Sequence, residues 1–282
     1  MLKILTALFT MIPNSYGEDL RVIDAHTHTN FTGELEETSK IPDTEEEFKK
    51  EMKEANVVAA ISHASRSGKV PYRSLKHLNI FQCFGVGDKI DLKKIDAGLK
   101  KKDYQCIKIY LGYVRRFAYD KAYSPVYRLA KKYSVPVVFH TGDTYSKSGM
   151  LKYADPITID EVAVKNSDVK FVIAHLGNPW INTAAEVTYK NDNVYVEASA
   201  LLIGDLSKVA PDKLEEYAIK QIRWAFGYIE NPEKFMFGTD WPLVKIPDYL
   251  EIYKKAIPEE HWKAVFHDNA VKVFNLKDDL KL

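Results

Sequence analysis

Arg21-Val22-Ile23-Asp24-Ala25-His26-Thr27-His28 is a β-type run that closes on two metal-binding side chains. Residues i and i+2 of a strand point to the same side. His26 and His28 can therefore reach one divalent ion, each through a ring nitrogen at roughly 2.0–2.1 Å. An isolated HxH carries little weight, but here the arrangement recurs. Val137-Val138-Phe139-His140, Phe171-Val172-Ile173-Ala174-His175 and Phe235-Met236-Phe237-Gly238-Thr239-Asp240 each put a ligand-type residue at the end of an apolar run.

On either side of these stretches, β-type and helical patterns alternate. Strands are expected at residues 20–25, 57–62, 80–86, 105–110, 135–140, 169–175, 194–198 and 234–239. They read as near-continuous apolar runs, as strands buried on both faces should. Helices are expected to start at Asp43 or Thr44, with the acids Glu45, Glu46 and Glu47 in the first turn, at Ser124-Pro125 with Ser124 as the cap, and at Pro211. Eight βα units in one uninterrupted chain predict a (β/α)8 TIM barrel, an α/β fold, rather than a doubly wound open sheet. The active sites of such barrels lie at the C-terminal ends of the strands. His26, His28, His140, His175 and Asp240 all fall there. Closure of the ring would bring Asp240, on strand 8, beside the histidine pair on strand 1. A carboxylate alone in an apolar barrel mouth would be costly to keep ionised. A divalent cation removes that cost.

The remaining composition narrows the field. With 282 residues, 46% of them hydrophobic, the chain can bury a sizeable core. A formal net charge of +1 gives no reason to expect nucleic acid as a partner. No apolar run is long enough to span a membrane. Residues 1–17 combine Lys3, an apolar stretch from Ile4 to Ile12, and small residues at Ser15 and Gly17. That is the outline of a secretory signal peptide. It would make residues 18–282 one mature domain, periplasmic or secreted; a cytoplasmic chain with this segment packed under the fold is the alternative. Cys83 and Cys106 lie far apart inside apparent strands and read as two buried thiols rather than a disulfide.

The chain resembles the amidohydrolase superfamily, in particular its amidohydrolase-related branch of decarboxylases, hydratases and hydrolases. Ile23-Asp24-Ala25-His26-Thr27-His28, Val138-Phe139-His140-Thr141-Gly142, Ala174-His175-Leu176-Gly177-Asn178-Pro179 and Phe237-Gly238-Thr239-Asp240-Trp241-Pro242 carry the resemblance, in that order. So does the closing Asn269-Ala270-Val271-Lys272-Val273-Phe274-Asn275-Leu276. The resemblance implies zinc or another divalent metal held by His26, His28, His140 and Asp240, with His175 as acid/base catalyst. It also makes a homodimer plausible. Lys108 ends the fourth strand. In two-metal members a carboxylated lysine there bridges the ions, and the histidines of strands 5 and 6, here His140 and His175, hold the second. The motif wording favours one ion over two.

Three functions follow as expectations. The first is a metal-dependent hydrolase of a small, carboxylate-bearing molecule: an activated water attacks a carbonyl, Asp240 takes the proton, and His175 assists the leaving group. The second is a non-oxidative decarboxylase or hydratase using the same metal and His175. The third is a barrel that retains metal but only binds. Arg66, Arg73, Arg115 or Arg116, in loops after strands 2 and 4, could grip a carboxylate. Trp180, Trp241 and His63 follow or end strands and could face the pocket.

Overall fold

Each of the eight expected strands forms. The computed structural model describes residues 20–63 and 72–280. The strands are β1 (Val22–Thr27), β2 (Val57–His63), β3 (Ile80–Val86), β4 (Cys106–Tyr110), β5 (Val137–His140), β6 (Phe171–Ile173), β7 (Val194–Glu197) and β8 (Phe235–Met236). All are parallel and each pairs with its sequence neighbours. The ring closes between β8 and β1. Ala25 N donates to the Phe237 carbonyl at 2.9 Å, Asp240 N to the His26 carbonyl at 2.8 Å, and Thr27 bridges to Trp241. The architecture is the (β/α)8 barrel.

The helices are α1 (Glu45–Glu54), α2 (Leu92–Lys100), α3 (Ser124–Tyr133), α4 (Ile157–Lys165), α5 (Ile181–Lys190), α6 (Pro211–Leu214), α7 (Lys220–Ile229), α8 (Ile246–Ala256) and α9 (Asn269–Phe274). Thr44 caps α1 by accepting from Glu47 N. Asp43 instead accepts from Phe31 N and Thr32 N and stiffens the loop before the helix. Ser124 is the first residue of α3 rather than its cap, because a 3-10 turn started by Asp120 already leads the chain in. No helix among the described residues is long and apolar enough to cross a membrane.

Two apolar layers hold the barrel. The outer one lies between strands and helices and includes Ile107, Ile109, Val137, Phe139, Phe171, Ile173 and Phe235. The inner one includes Ile23, Ala25, Ala59, Ile61, Phe81, Val138, Val172 and Met236. Ala270, Val273 and Phe274 of α9 join this inner cluster and plug its lower end.

The cysteines correct the sequence reading. Cys83 and Cys106 form a disulfide in the inner layer. Their separation of 23 positions along the chain suggested that they lie apart. A βαβ crossover instead sets β3 beside β4, and the two cysteines are Cα partners across that pair. The leader expected at residues 1–17 and Arg66 lie outside the described residues.

Candidate metal centre

A slip in the register of β1 aims the histidine pair. Asp24 pairs with Ala60 but Thr27 with Ser62, so three residues of β1 span two of β2. Such a bulge reverses which side chains face inward. Ile23 thus packs in the inner layer, while His26 and His28 line the cavity above it. Asp24 ties the bulge to the end of β8. It accepts from His26 N at 3.0 Å, from Thr239 N at 3.1 Å and from Thr239 Oγ1 at 2.5 Å. Burial still pushes its carboxyl up to about 8.

The other cavity residues arrive on broken strand ends. β6 stops before His175, which has φ 60°, followed by Leu176 at 49°. Asp240 also has positive φ, 68°. L-residues adopt this region rarely and at a cost, so the expected strand 169–175 ends before His175; β8 ends at Met236, short of the expected 239. Two glycines make room. A Cβ at Gly142 would lie 2.1 Å from the Asn178 carbonyl oxygen, and one at Gly238 would lie 2.8 Å from Glu197 Oε2.

These turns assemble a compact donor set. His28 Nε2 lies 3.2 Å from Asp240 Oδ1, and His26 Nε2 lies 3.4 Å from the same atom. Asp240 Oδ1 is buried and has no hydrogen-bond partner. The opposite ring nitrogens are occupied: His26 Nδ1 by Glu197 Oε1 at 2.6 Å, and His28 Nδ1 by the His63 carbonyl at 3.0 Å. An acceptor at Nδ1 keeps the proton there and leaves the Nε2 lone pair for an ion. The residues therefore fit a divalent metal between His26, His28 and Asp240. His140 lines the same cavity, with Nδ1 on the Leu111 carbonyl at 2.9 Å. It is not part of the tight three-residue group, and its ring lies 4.9 Å from that of His175.

Lys108 reaches the floor with its Nζ 3.5 Å from His26 Nε2, fully buried. Burial pushes its ammonium down to about 8, against the pull of Glu197 and Asp240. His175 hangs on Ser199, with Nδ1 2.8 Å from Ser199 Oγ and 3.3 Å from the Ser199 carbonyl. Burial pushes its imidazole down to about 4. Burial also holds His26, His63 and His140 well below the usual imidazole range. For Asp240, burial pushes the carboxyl up, but the neighbouring His28, His175 and Lys108 outweigh it and hold it low.

Glu197, at the end of β7, is the functional residue that sequence reasoning missed. One oxygen accepts from His26 Nδ1 and from His175 N, and the other from Ser199 N at 2.6 Å. His26, His175 and Glu197 form a second group of potential ligands, but these bonds already occupy the carboxylate. The signal was present: Val194-Tyr195-Val196-Glu197 also ends an apolar run in a polar residue. His63 is fully buried, its ring centroid 4.1 Å from that of His26.

The cavity above this floor has a volume of about 650 Å³. Tyr110, Tyr113 and Tyr145 form one side, and Leu201, Leu202, Ile203 and Leu243 another. None of Arg73, Arg115 and Arg116 lines it. Arg73 lies over Phe31, and Arg116 donates to the Asp88 carbonyl. Trp241 is core, edge-on to Phe48 at 4.7 Å, and Trp180 precedes α5 outside the cavity.

Comparison with solved structures finds the same fold at low identity. A protein of Acinetobacter baumannii that carries the name of a 2-pyrone-4,6-dicarboxylic acid hydrolase, with citric acid bound, aligns at a TM-score of 0.64 and 14% identity, over 90% of this chain and 99% of that one. The 5-carboxyvanillate decarboxylase of Sphingomonas paucimobilis aligns at 0.61 and 12%, over 91% and 99%. A dihydroxybenzoic acid decarboxylase of Polaromonas, with manganese and 2-nitroresorcinol bound, aligns at 0.65 and 13%, over 93% and 99%. No protein of curated function matches this sequence. The amidohydrolase family model matches residues 40–276. With that match spanning most of the barrel, the chain belongs to the amidohydrolase family.

Proposed function

We propose that this protein is a metal-dependent hydrolase of a small carbonyl compound, an ester or lactone built on a flat ring and bearing a carboxylate. One observation carries the reading. Asp240 is divided between two neighbourhoods: Oδ1 lies between the imidazoles of His26 and His28, while Oδ2 lies 4.0 Å from His175 Nδ1. One carboxylate can thus help hold an ion and also take a proton from water.

A divalent ion at His26, His28 and Asp240 would supply Lewis acidity and acidify water. His140 completes the imidazole surroundings on the β5 side. The chain's own residues supply the rest. Asp240 accepts the proton of the attacking water. His175, neutral in the fold and held by Ser199, lies beside Asp240 and carries that proton toward the leaving oxygen. The tyrosine and aliphatic sides suit a flat ring, and Lys108 is the cation on the floor that can meet a carboxylate. Occupation of Glu197 by its own hydrogen bonds supports one ion rather than two.

Lys108 also favours a second reading. A carboxylate drawn onto the floor could be the group that is lost, with His175 delivering a proton to the ring carbon as CO2 leaves. Two of the structural relatives named above are decarboxylases. Product analysis on a panel of aryl lactones, esters and hydroxybenzoic acids decides between them. Release of an acid without CO2 is expected; stoichiometric CO2 would replace hydrolysis by decarboxylation.

A further inference from the structure

The cavity is spanned at its mouth. β1 and β5 stand on opposite sides of the eight-stranded ring, so the loops that follow them form opposite lips. Tyr145, in the loop after β5, crosses this gap. Its hydroxyl lies 3.3 Å from Thr38 Oγ1 and donates to Glu36 Oε1 at 3.4 Å, both in the loop after β1. The side chain is 56% exposed and still lines the cavity. It is a strut above the floor rather than part of the core.

The two ends of the strut differ from its middle. Tyr145 N donates to Tyr113 Oη at 2.8 Å, and the Tyr113 ring lies edge-on to His140 at 4.7 Å. On the far lip, Glu36 Oε2 accepts from Thr38 N at 2.7 Å and from Ser39 N at 2.5 Å. Ser39 Oγ then donates to the Pro242 carbonyl at 2.6 Å, beside Asp240 in the chain. Both anchorages are short, well-formed hydrogen bonds. The contacts across the gap are long, and hydrogen bonds weaken toward that end of the range. A firm base, a firm landing stage and a weak join between them are the parts of an opening closure.

We propose that Tyr145 is a specificity-determining latch, whose hydroxyl joins the β1 and β5 lips over the cavity and favours substrates short enough to fit beneath it. The proposal rests on the reading of the cavity as a substrate site. A ring with a short substituent closes under the phenol. A longer tail must displace the hydroxyl from Thr38 and Glu36 and so loses the closed state. Tyr145 therefore selects by tail length rather than by contact with the reacting carbonyl.

Hydrogen exchange on the protein as purified tests the latch without any assumption about the reaction. Tyr145→Phe removes one exposed hydroxyl, and Thr38→Val removes its partner. Each should raise amide exchange several-fold in both residues 29–43 and residues 141–150, on opposite sides of the barrel. The double variant should exchange no faster than Tyr145→Phe alone, because that substitution already removes the contacts to both Thr38 and Glu36. Exchange that rises only in the loop carrying the substitution, or additive effects, would overturn the latch. A second arm uses aryl esters of increasing acyl length. Wild type should lose kcat/KM with length, and Tyr145→Ala should flatten that series by about tenfold. An unchanged length profile in Tyr145→Ala would also overturn the proposal. Failure of every variant to turn over any ester would count against the hydrolase reading alone, with the exchange arm still deciding the latch.

Discussion

His26 Nδ1 donates to Glu197 Oε1 at 2.6 Å, and neither side chain has any solvent exposure. A carboxylate behind a histidine fixes its tautomer and turns its other nitrogen toward the ion. Glu197→Gln should therefore weaken metal affinity by about 10–100-fold while the barrel still folds. Titration in metal buffers measures this, with circular dichroism as the control for folding. An unchanged dissociation constant would remove Glu197 from the account.

His175 should separate from the ligands. It hangs on Ser199 rather than on the tight donor group of His26, His28 and Asp240. His175→Asn should lower kcat by about 10²–10⁴, with metal content near one ion per chain. Loss of a second ion in this variant would instead make His175 a ligand and Lys108 a bridging carbamate.

A carboxyl outside the site gives a pH test. Glu51 of α1 is almost fully buried and accepts from Ile246 N, at the start of α8, at 2.8 Å. Burial raises its carboxyl from 4.5 to about 7. The fold thus binds a proton that the unfolded chain has released between those values. The contribution is fully present below about pH 4.5 and is lost as pH rises through about 7. Glu51→Gln cannot titrate, so it should match wild type near pH 4 and exceed it by up to about 3 kcal/mol near pH 8. Urea unfolding at the two pH values measures the difference, and a constant offset would contradict the assignment.

Most of the barrel was legible because parallel strands buried on both faces must be apolar throughout, and their polar ends then stand out. That rule located His26, His28, His140, His175 and Asp240, and it applied equally to Glu197. It could not reveal the bulge between Asp24 and Thr27, which depends on pairing with β2. Nor could it place the positive φ of His175 and Asp240, which local propensity disfavours and the surrounding hydrogen bonds impose. The Cys83–Cys106 bond was missed for a related reason: separation along the chain says little about two residues on consecutive strands of a barrel. The arginine clamp, expected from loop position, has no counterpart among the described cavity residues.

The disulfide bears on location. We propose that the chain matures in an oxidising compartment, as its leader-like first 17 residues suggest; such bonds persist there and are rare in reducing cytosol. Thiol titration in denaturant without reductant, on protein from its native host, should find no free thiol, because Cys83 and Cys106 are its only cysteines. Two free thiols per chain, with an N-terminus still at Met1, would place it in a reducing compartment.

The cavity floor is built for a single divalent ion held by His26, His28 and Asp240. Metal analysis of the purified protein, beside His28→Ala and Asp240→Ala, tests it most directly. About one ion per chain is expected in wild type, with a sharp loss of metal in His28→Ala and no turnover in either variant. Two ions per wild-type chain, or full occupancy and normal turnover in His28→Ala, would contradict it.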